Sequence, residues 1–240
     1  MLLILAFIAG LLRGYSGFGF SMVLALGLLS VRPPALAIPV VLLLDLLCSV
    51  SLWRGAGKTF HAGIGGRLIV GMLLAVPFGS LALARLPEQW MAPVVALLCL
   101  LGGVMVLVRQ PGAGGRPVTT RWALPAGVVS GLVTAMASAG GPPVVVYLLR
   151  SGLPAASVRG TAIVFFAVSD VLALASLWWL QVLSLEHLRL AASLLVPALL
   201  GNVLGQVGYR RKPMSLHLLI GGVLVLLSAV TLGKTLYQGV

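Results

Sequence analysis

The sequence predicts an all-α polytopic membrane protein made of two inverted repeats, each a broken or re-entrant helical hairpin plus three transmembrane helices. Three observations lead there. The 240 residues are 60% hydrophobic and 8% charged, with a mean hydropathy of +1.15, far from the balance of a soluble domain. Apolar runs of membrane-crossing length recur along the whole chain. Two of these runs, in equivalent places of the two halves, are interrupted by glycine, serine and proline.

The runs fall at 2–31, 34–53, 64–84, 90–108, 122–149, 159–180, 188–209 and 214–236. Trp53, Trp90, Trp122, Trp178 and Trp179 all lie at run ends, as an interfacial aromatic belt requires. The connections are short, so 1–240 forms a single membrane domain. The net charge of +12 would suggest nucleic acid in a soluble chain; here the cations lie between apolar runs and act as topology signals, and nucleic-acid binding is set aside. Cys48 and Cys99 lie inside apolar runs, where they pack as small hydrophobes. The first run lacks a basic leader and an Ala-x-Ala site, so no cleaved signal peptide is expected.

Runs one and five are nearly 30 residues long and are broken near their middles, by Gly14-Tyr15-Ser16-Gly17-Phe18-Gly19 and by Ser138 to Pro143. The alternatives are a single broken span or a hairpin that dips to mid-membrane and returns, and the positive-inside rule separates them. With single spans the cations divide almost evenly. With hairpins, Arg54, Lys58, Arg67, Arg109, Arg116, Arg121, Arg150, Arg159, Arg210, Arg211 and Lys212 share one side, leaving Arg32, Arg85, Arg189 and Lys234 opposite. The bias favours hairpins, six full spans and both termini on the cation-poor, outer side.

Asp45 to Trp53 reads DLLCSVSLW and Asp170 to Trp178 reads DVLALASLW. With Pro34 and Pro154, and Val76-Pro77 and Val196-Pro197, this marks a duplication, 1–115 and 116–240. An odd number of crossings in the first half starts the second on the opposite face, so the repeats are inverted, as in secondary transporters.

A helix broken in hydrocarbon leaves backbone groups unpaired at several kcal/mol each, so such breaks line a cavity or lie inside protein. A half-helix starts after each break, at Phe20 and at Pro142. Two helix N-termini then point into mid-membrane and favour an anion. The candidate substrate-binding residues are Arg13, Gly14, Ser16, Gly17 and Gly19 at the first break, Ser138, Gly140, Gly141 and Pro142 at the second, and Arg159 at the start of run six. Packing alone is the other reading of the glycines, through the small-xxx-small pairs Gly10/Gly14, Gly127/Gly131 and Gly201/Gly205. Asp45 and Asp170, central in runs two and six, are candidates for proton coupling, for pairing with Arg13 or Arg159, or for fixing helix packing. Asn202 and Gln206 face the cavity or bond between helices.

Gly14-Tyr15-Ser16-Gly17 also fits the G-x-S-G pattern around a rhomboid-like protease nucleophile, but His61, His187 and His217 lie in loops or at run ends, too shallow for its base. The chain is therefore expected not to be an enzyme. The histidines form no ligand cluster and there is no P-loop, so neither metal nor cofactor is expected.

The duplicated layout, the glycines Gly10, Gly14, Gly17 and Gly19, the SAGGPP break, and Leu153-Pro154-Ala155 followed by Arg159-Gly160-Thr161 together resemble the TauE/SafE sulfite exporter family over essentially the whole chain. The resemblance implies a permease of the bacterial inner membrane that moves sulfite or sulfonate anions outward, and the two inverted halves imply alternating access about the paired breaks. Members often carry three consecutive glycines at the first break, where this chain has Ser16-Gly17-Phe18-Gly19. The implied partners are the small anion and the lipid bilayer, and a homo-oligomer is compatible with the sequence. A non-transporting membrane scaffold or assembly factor is the alternative.

Overall fold

The computed structural model describes residues 1–108, 119–211 and 217–237, with the side chains of all of these except 88, 217–220 and 234–237. Arg109, Arg116, Lys212, the side chains of His217 and Lys234, and the boundary between the repeats lie outside that set. Ten α-helices follow one another: α1 Leu2–Ser16, α2 Phe20–Leu29, α3 Pro34–Thr59, α4 Ala62–Arg85, α5 Glu88–Val108, α6 Ala123–Ala137, α7 Gly141–Leu149, α8 Ala155–Trp179, α9 Leu185–Arg211 and α10 His217–Tyr237. A 3₁₀ turn, Thr120–Trp122, leads into α6. No strand occurs among the described residues. The chain is an all-α polytopic membrane protein: α3, α4, α5, α8 and α9 are each long and apolar enough to cross a bilayer, and α10 has 21 residues.

The first broken run is a hairpin. A 15-residue helix rises about 22 Å, short of a bilayer core of about 30 Å, and α1 turns back instead of continuing. A methyl group added at Gly27, near the end of α2, would come within 1.6 Å of Leu5 near the start of α1. Met1 and Arg32 accordingly line one groove at the same end of the molecule, together with Leu190 of α9. At the other end, Thr59 of α3, Arg159 of α8 and Arg210 of α9 line a common cleft. α6 and α7 also lie against each other. Tracing the helices from these two ends puts Arg54, Lys58, Arg67, Arg121, Arg150, Arg159, Arg210 and Arg211 at one end, and Arg32, Arg85 and Arg189 at the other.

Helix contacts come in matched sets. α1 packs on α9 as α6 packs on α4; α3 packs on α9 as α8 packs on α4; α3 and α8 meet each other, as do α5 and α10. Exchanging the two halves returns the same principal pairings. The α1–α9 contact is backbone on backbone: a methyl at Gly14 would fall 1.9 Å from the Asn202 carbonyl oxygen, and one at Gly205 2.2 Å from that of Leu11. In lipid, where apolar surface gains nothing by leaving the tails, such close approach supplies the packing energy that holds helices together.

Of the five long spans, α3 and α8 are the most buried. Leu73, Leu74 and Phe78 of α4 and Val196, Leu200 and Leu204 of α9 are exposed, the apolar surface that a bilayer would cover. All five tryptophans are exposed, in keeping with their expected place at the membrane interfaces.

Candidate functional site

The first break is held by charge. α1 ends at Ser16 because Gly17 takes a left-handed conformation, φ 85°, and its N–H donates to the Arg13 carbonyl. Gly19, φ 91°, then starts α2. A residue with a Cβ disfavours this region, so the two glycines set where the helix stops and restarts. Ser16 Oγ lies 2.7 Å from the Leu12 carbonyl and 2.8 Å from that of Phe18, and accepts from the Phe18 N–H at 3.3 Å. Its hydroxyl is thus engaged inside the turn. Arg13, 1% exposed, reaches over the break: Nη1 donates to the Gly17 carbonyl at 3.0 Å, and Nη2 donates to Ser49 Oγ. Nε lies 3.1 Å from Asp45 Oδ1, an ion pair in which the N–H is not aimed at the oxygen as a hydrogen bond. Phe166 of α8 presents its ring face to the guanidinium at 5.2 Å.

The second break uses hydroxyls and carbonyls. Ser138 adopts the left-handed position, φ 52°, that Gly17 occupies in the first half, and its N–H donates to the Thr134 carbonyl. Ser130 Oγ donates to the carbonyl of Gly140. A methyl at Gly140 would come within 2.0 Å of Thr134 Oγ1. Pro142 and Pro143 stand in the first turn of α7; lacking N–H groups, they leave Gly140 and Gly141 as the amides at its tip. Ser138 Oγ is buried without a hydrogen-bond partner.

The two breaks meet. A methyl at Gly141 would lie 3.9 Å from Phe18 and from Met22 of the first hairpin and 4.0 Å from Phe166. Phe18, Met22 and Phe166 fill the space between the half-helices, each less than a tenth exposed. Sequence reasoning named the glycines and Arg13 here but not Phe166, Ser49 or Ser130. The two phenylalanines carry no local signal beyond a bulky residue among small ones at Phe18.

Arg159 closes the first break from the cation-rich end. Nη2 donates to the Gly14 carbonyl at 2.6 Å and Nε to that of Tyr15 at 3.4 Å, which satisfies carbonyls that the end of α1 leaves open. Its stem lies against Gly17, where a methyl would be 2.9 Å from Cγ. The guanidinium stacks 4.4 Å from the Tyr209 ring, and Tyr209 meets Tyr15 edge to face. Beside it opens a cleft of about 170 Å³ lined by Gly55, Thr59, Arg159, Gln206, Tyr209 and Arg210, room for about five waters. The neighbours of Arg159 have their own tasks: Gly160 lets Thr59 approach, where a methyl would be 2.1 Å from its Oγ1, and Thr161 accepts from the His61 N–H at 3.0 Å.

Asp45 and Asp170 lie on the two most buried of the five long spans, and each is 1% exposed. The nearby charges acting on Asp170 are those of Asp45 and Arg13; its Oδ2 has no hydrogen-bond partner. Asn202 bonds between helices, donating to the Cys48 carbonyl at 3.1 Å and to Ser51 Oγ at 2.7 Å, while Gln206 lines the cleft. His61 Nδ1 accepts from the Ile64 N–H, and His187 joins Ser184 to the Ala35 carbonyl; neither engages Ser16. Among the described residues no group of three or more His, Cys, Asp or Glu could hold a metal ion.

A bundle of apolar spans enclosing two paired helix breaks, with a buried arginine and two buried carboxylates beside them, has the build of a membrane transport protein. The sulfite exporter TauE/SafE family matches residues 2–232, and the chain belongs to that family of membrane transporters. Comparison with curated proteins and with solved structures gives no match.

Proposed function

We propose that the protein is a secondary transporter that exports a small sulfur oxyanion, sulfite or an organosulfonate, across the bacterial inner membrane. The halves 1–115 and 116–240 act as inverted repeats and rock about a site between the breaks. The observation that carries this reading is the meeting of the two half-helix tips, Phe18 and Met22 opposite Gly141. Amides at the start of α2 and at Gly140 and Gly141, the Ser138 hydroxyl and Arg13 supply the donors an oxyanion needs. Phe18 and Phe166 occlude the site in this conformation, and their swing would open it. The cleft at Arg159 and Arg210 lies at the end that the positive-inside rule makes cytoplasmic, the side from which an exported anion enters, and both termini are then periplasmic.

Gly141→Ala is the variant of choice. The added methyl meets only ordinary van der Waals neighbours at 3.9 to 4.0 Å, so folding is kept, while it projects into the gap where the anion would sit. Sulfite and sulfonate flux into proteoliposomes is expected for the native chain and at least about tenfold less for Gly141→Ala, equivalent to roughly 1.4 kcal/mol. Absence of flux of any small anion in the native protein sinks the transporter reading; full flux in Gly141→Ala removes the site from the breaks. A scaffold would have no flux to lose.

A further inference from the structure

Among the described residues, two carboxylates, Asp45 and Asp170, and one guanidinium, Arg13, are fully buried. Arg13 is committed to Asp45, to the Gly17 carbonyl and to Ser49. Asp170 occupies the place in α8 that Asp45 occupies in α3, yet its Oδ2 is buried without a partner. The titratable groups whose charges reach it are Arg13 from α1, which lies over Phe166 one helical turn before Asp170, and Asp45 and Cys48 from α3. Of the other helices packed on α8, α6 and α7 contain no charged residue, and α4 carries only Arg67 and Arg85 towards its ends. With all three groups ionised the cluster would be one negative charge in excess, beside a carboxylate oxygen, Asp170 Oδ2, that has no hydrogen-bond partner. A buried ion in that situation takes or loses a proton.

We propose that Asp170 carries a proton in this conformation and is the site at which the protein binds its coupling proton, whereas Asp45 is the fixed counter-ion of Arg13. The coupling half rests on the transporter reading. The step balances simply: Asp170 releases H⁺ to water on the open side of the protein and becomes a carboxylate. That carboxylate competes with Asp45 for Arg13, and Arg13 also holds the Gly17 carbonyl of the first break. Loss of the proton therefore pulls on the turn that positions α2, which ties protonation to the anion site through one side chain.

Infrared difference spectroscopy of the reconstituted native protein is expected to give a carboxylic-acid carbonyl band at neutral pH. Asp170→Asn removes that band, and Asp170→Glu, which retains a titratable acid, shifts it. Asp170→Asn keeps the native melting temperature, since the amide copies the neutral acid, whereas Asp45→Asn melts well below it because Arg13 loses its counter-ion. No band in the native protein, or a band that survives Asp170→Asn, overturns the assignment. In proteoliposomes, sulfite uptake driven by a pH gradient is expected in the native protein, and only gradient-independent exchange in Asp170→Asn. Gradient-driven uptake retained in Asp170→Asn overturns the coupling. A native protein with the band but no anion flux removes the transport reading and the coupling with it, leaving the protonated Asp170 in place.

Discussion

The two breaks take equivalent places in the two halves and are built from different chemistry. At the first, two left-handed glycines make the turn and a buried arginine pins it to α3. At the second, a serine takes the left-handed position, two prolines start the next half-helix, and a hydroxyl from Ser130 holds the Gly140 carbonyl. A left-handed turn followed by a half-helix occurs at both, but a buried arginine spans only the first. The difference teaches where each half can yield: the hydroxyl-held break is restrained by neutral hydrogen bonds, and the charge-held break moves only if Arg13 keeps a partner.

The strongest way to break this comparison is to remove the charge. Arg13→Met leaves Asp45 buried and unpaired, and should cost about 3–5 kcal/mol, read as loss of the folded protein in thermal unfolding in detergent. Adding Asp45→Leu should recover most of it. Ser130→Ala at the other break should cost about 1–3 kcal/mol, the penalty for a buried carbonyl without its donor. If Ser130→Ala costs as much as Arg13→Met, the breaks are not distinguished by charge. A methyl at the hairpin–span contact comes next: Gly14→Ala, 1.9 Å from the Asn202 carbonyl oxygen, should cost about 1–3 kcal/mol through overpacking. Gly17→Ala at φ 85° should cost about 1–2 kcal/mol, whereas Ser138→Gly at φ 52° should leave stability within about 1 kcal/mol of native. That pair of melts sharpens the contrast between the two turns. The smallest effect belongs to Arg210→Gln on the rim of the cleft: stability within about 0.5 kcal/mol, and a raised KM for anion flux at low salt that vanishes at high salt.

The spans and the two interruptions were legible in the sequence because they depend on composition. A run of apolar residues long enough for a membrane and a cluster of glycine and proline inside it need no partner to be recognised. That a buried carboxylate and an arginine could pair was legible for a related reason, since a charge in an apolar run demands an opposite one; which of Asp45 and Asp170 meets Arg13 was not. Arg159 was harder: its guanidinium lies on carbonyls 144 and 145 positions earlier in the chain, and nothing local in Arg159-Gly160-Thr161 points there. Phe166 was invisible for the same reason, being one apolar residue in an apolar helix until α8 is laid beside both α1 and α7. Gly14 shows a third kind of limit. It belongs to the glycine-rich break in sequence, but its missing side chain makes room for the α9 backbone.

The exchange of partners between halves has a consequence for synthesis. α1 leaves the ribosome well before its main packing partner, α9, which is made some 170–195 residues later. At roughly 5–20 residues per second the first hairpin waits on the order of 10–40 s for its neighbour. Asp45 follows Arg13 within a few seconds at the same rate, so the ion pair can form long before the glycine seam closes. The early salt bridge would hold the hairpin on α3 while the rest of the chain is made, and a chain truncated before α9 would leave the Gly10 and Gly14 face open to lipid or to the quality-control machinery.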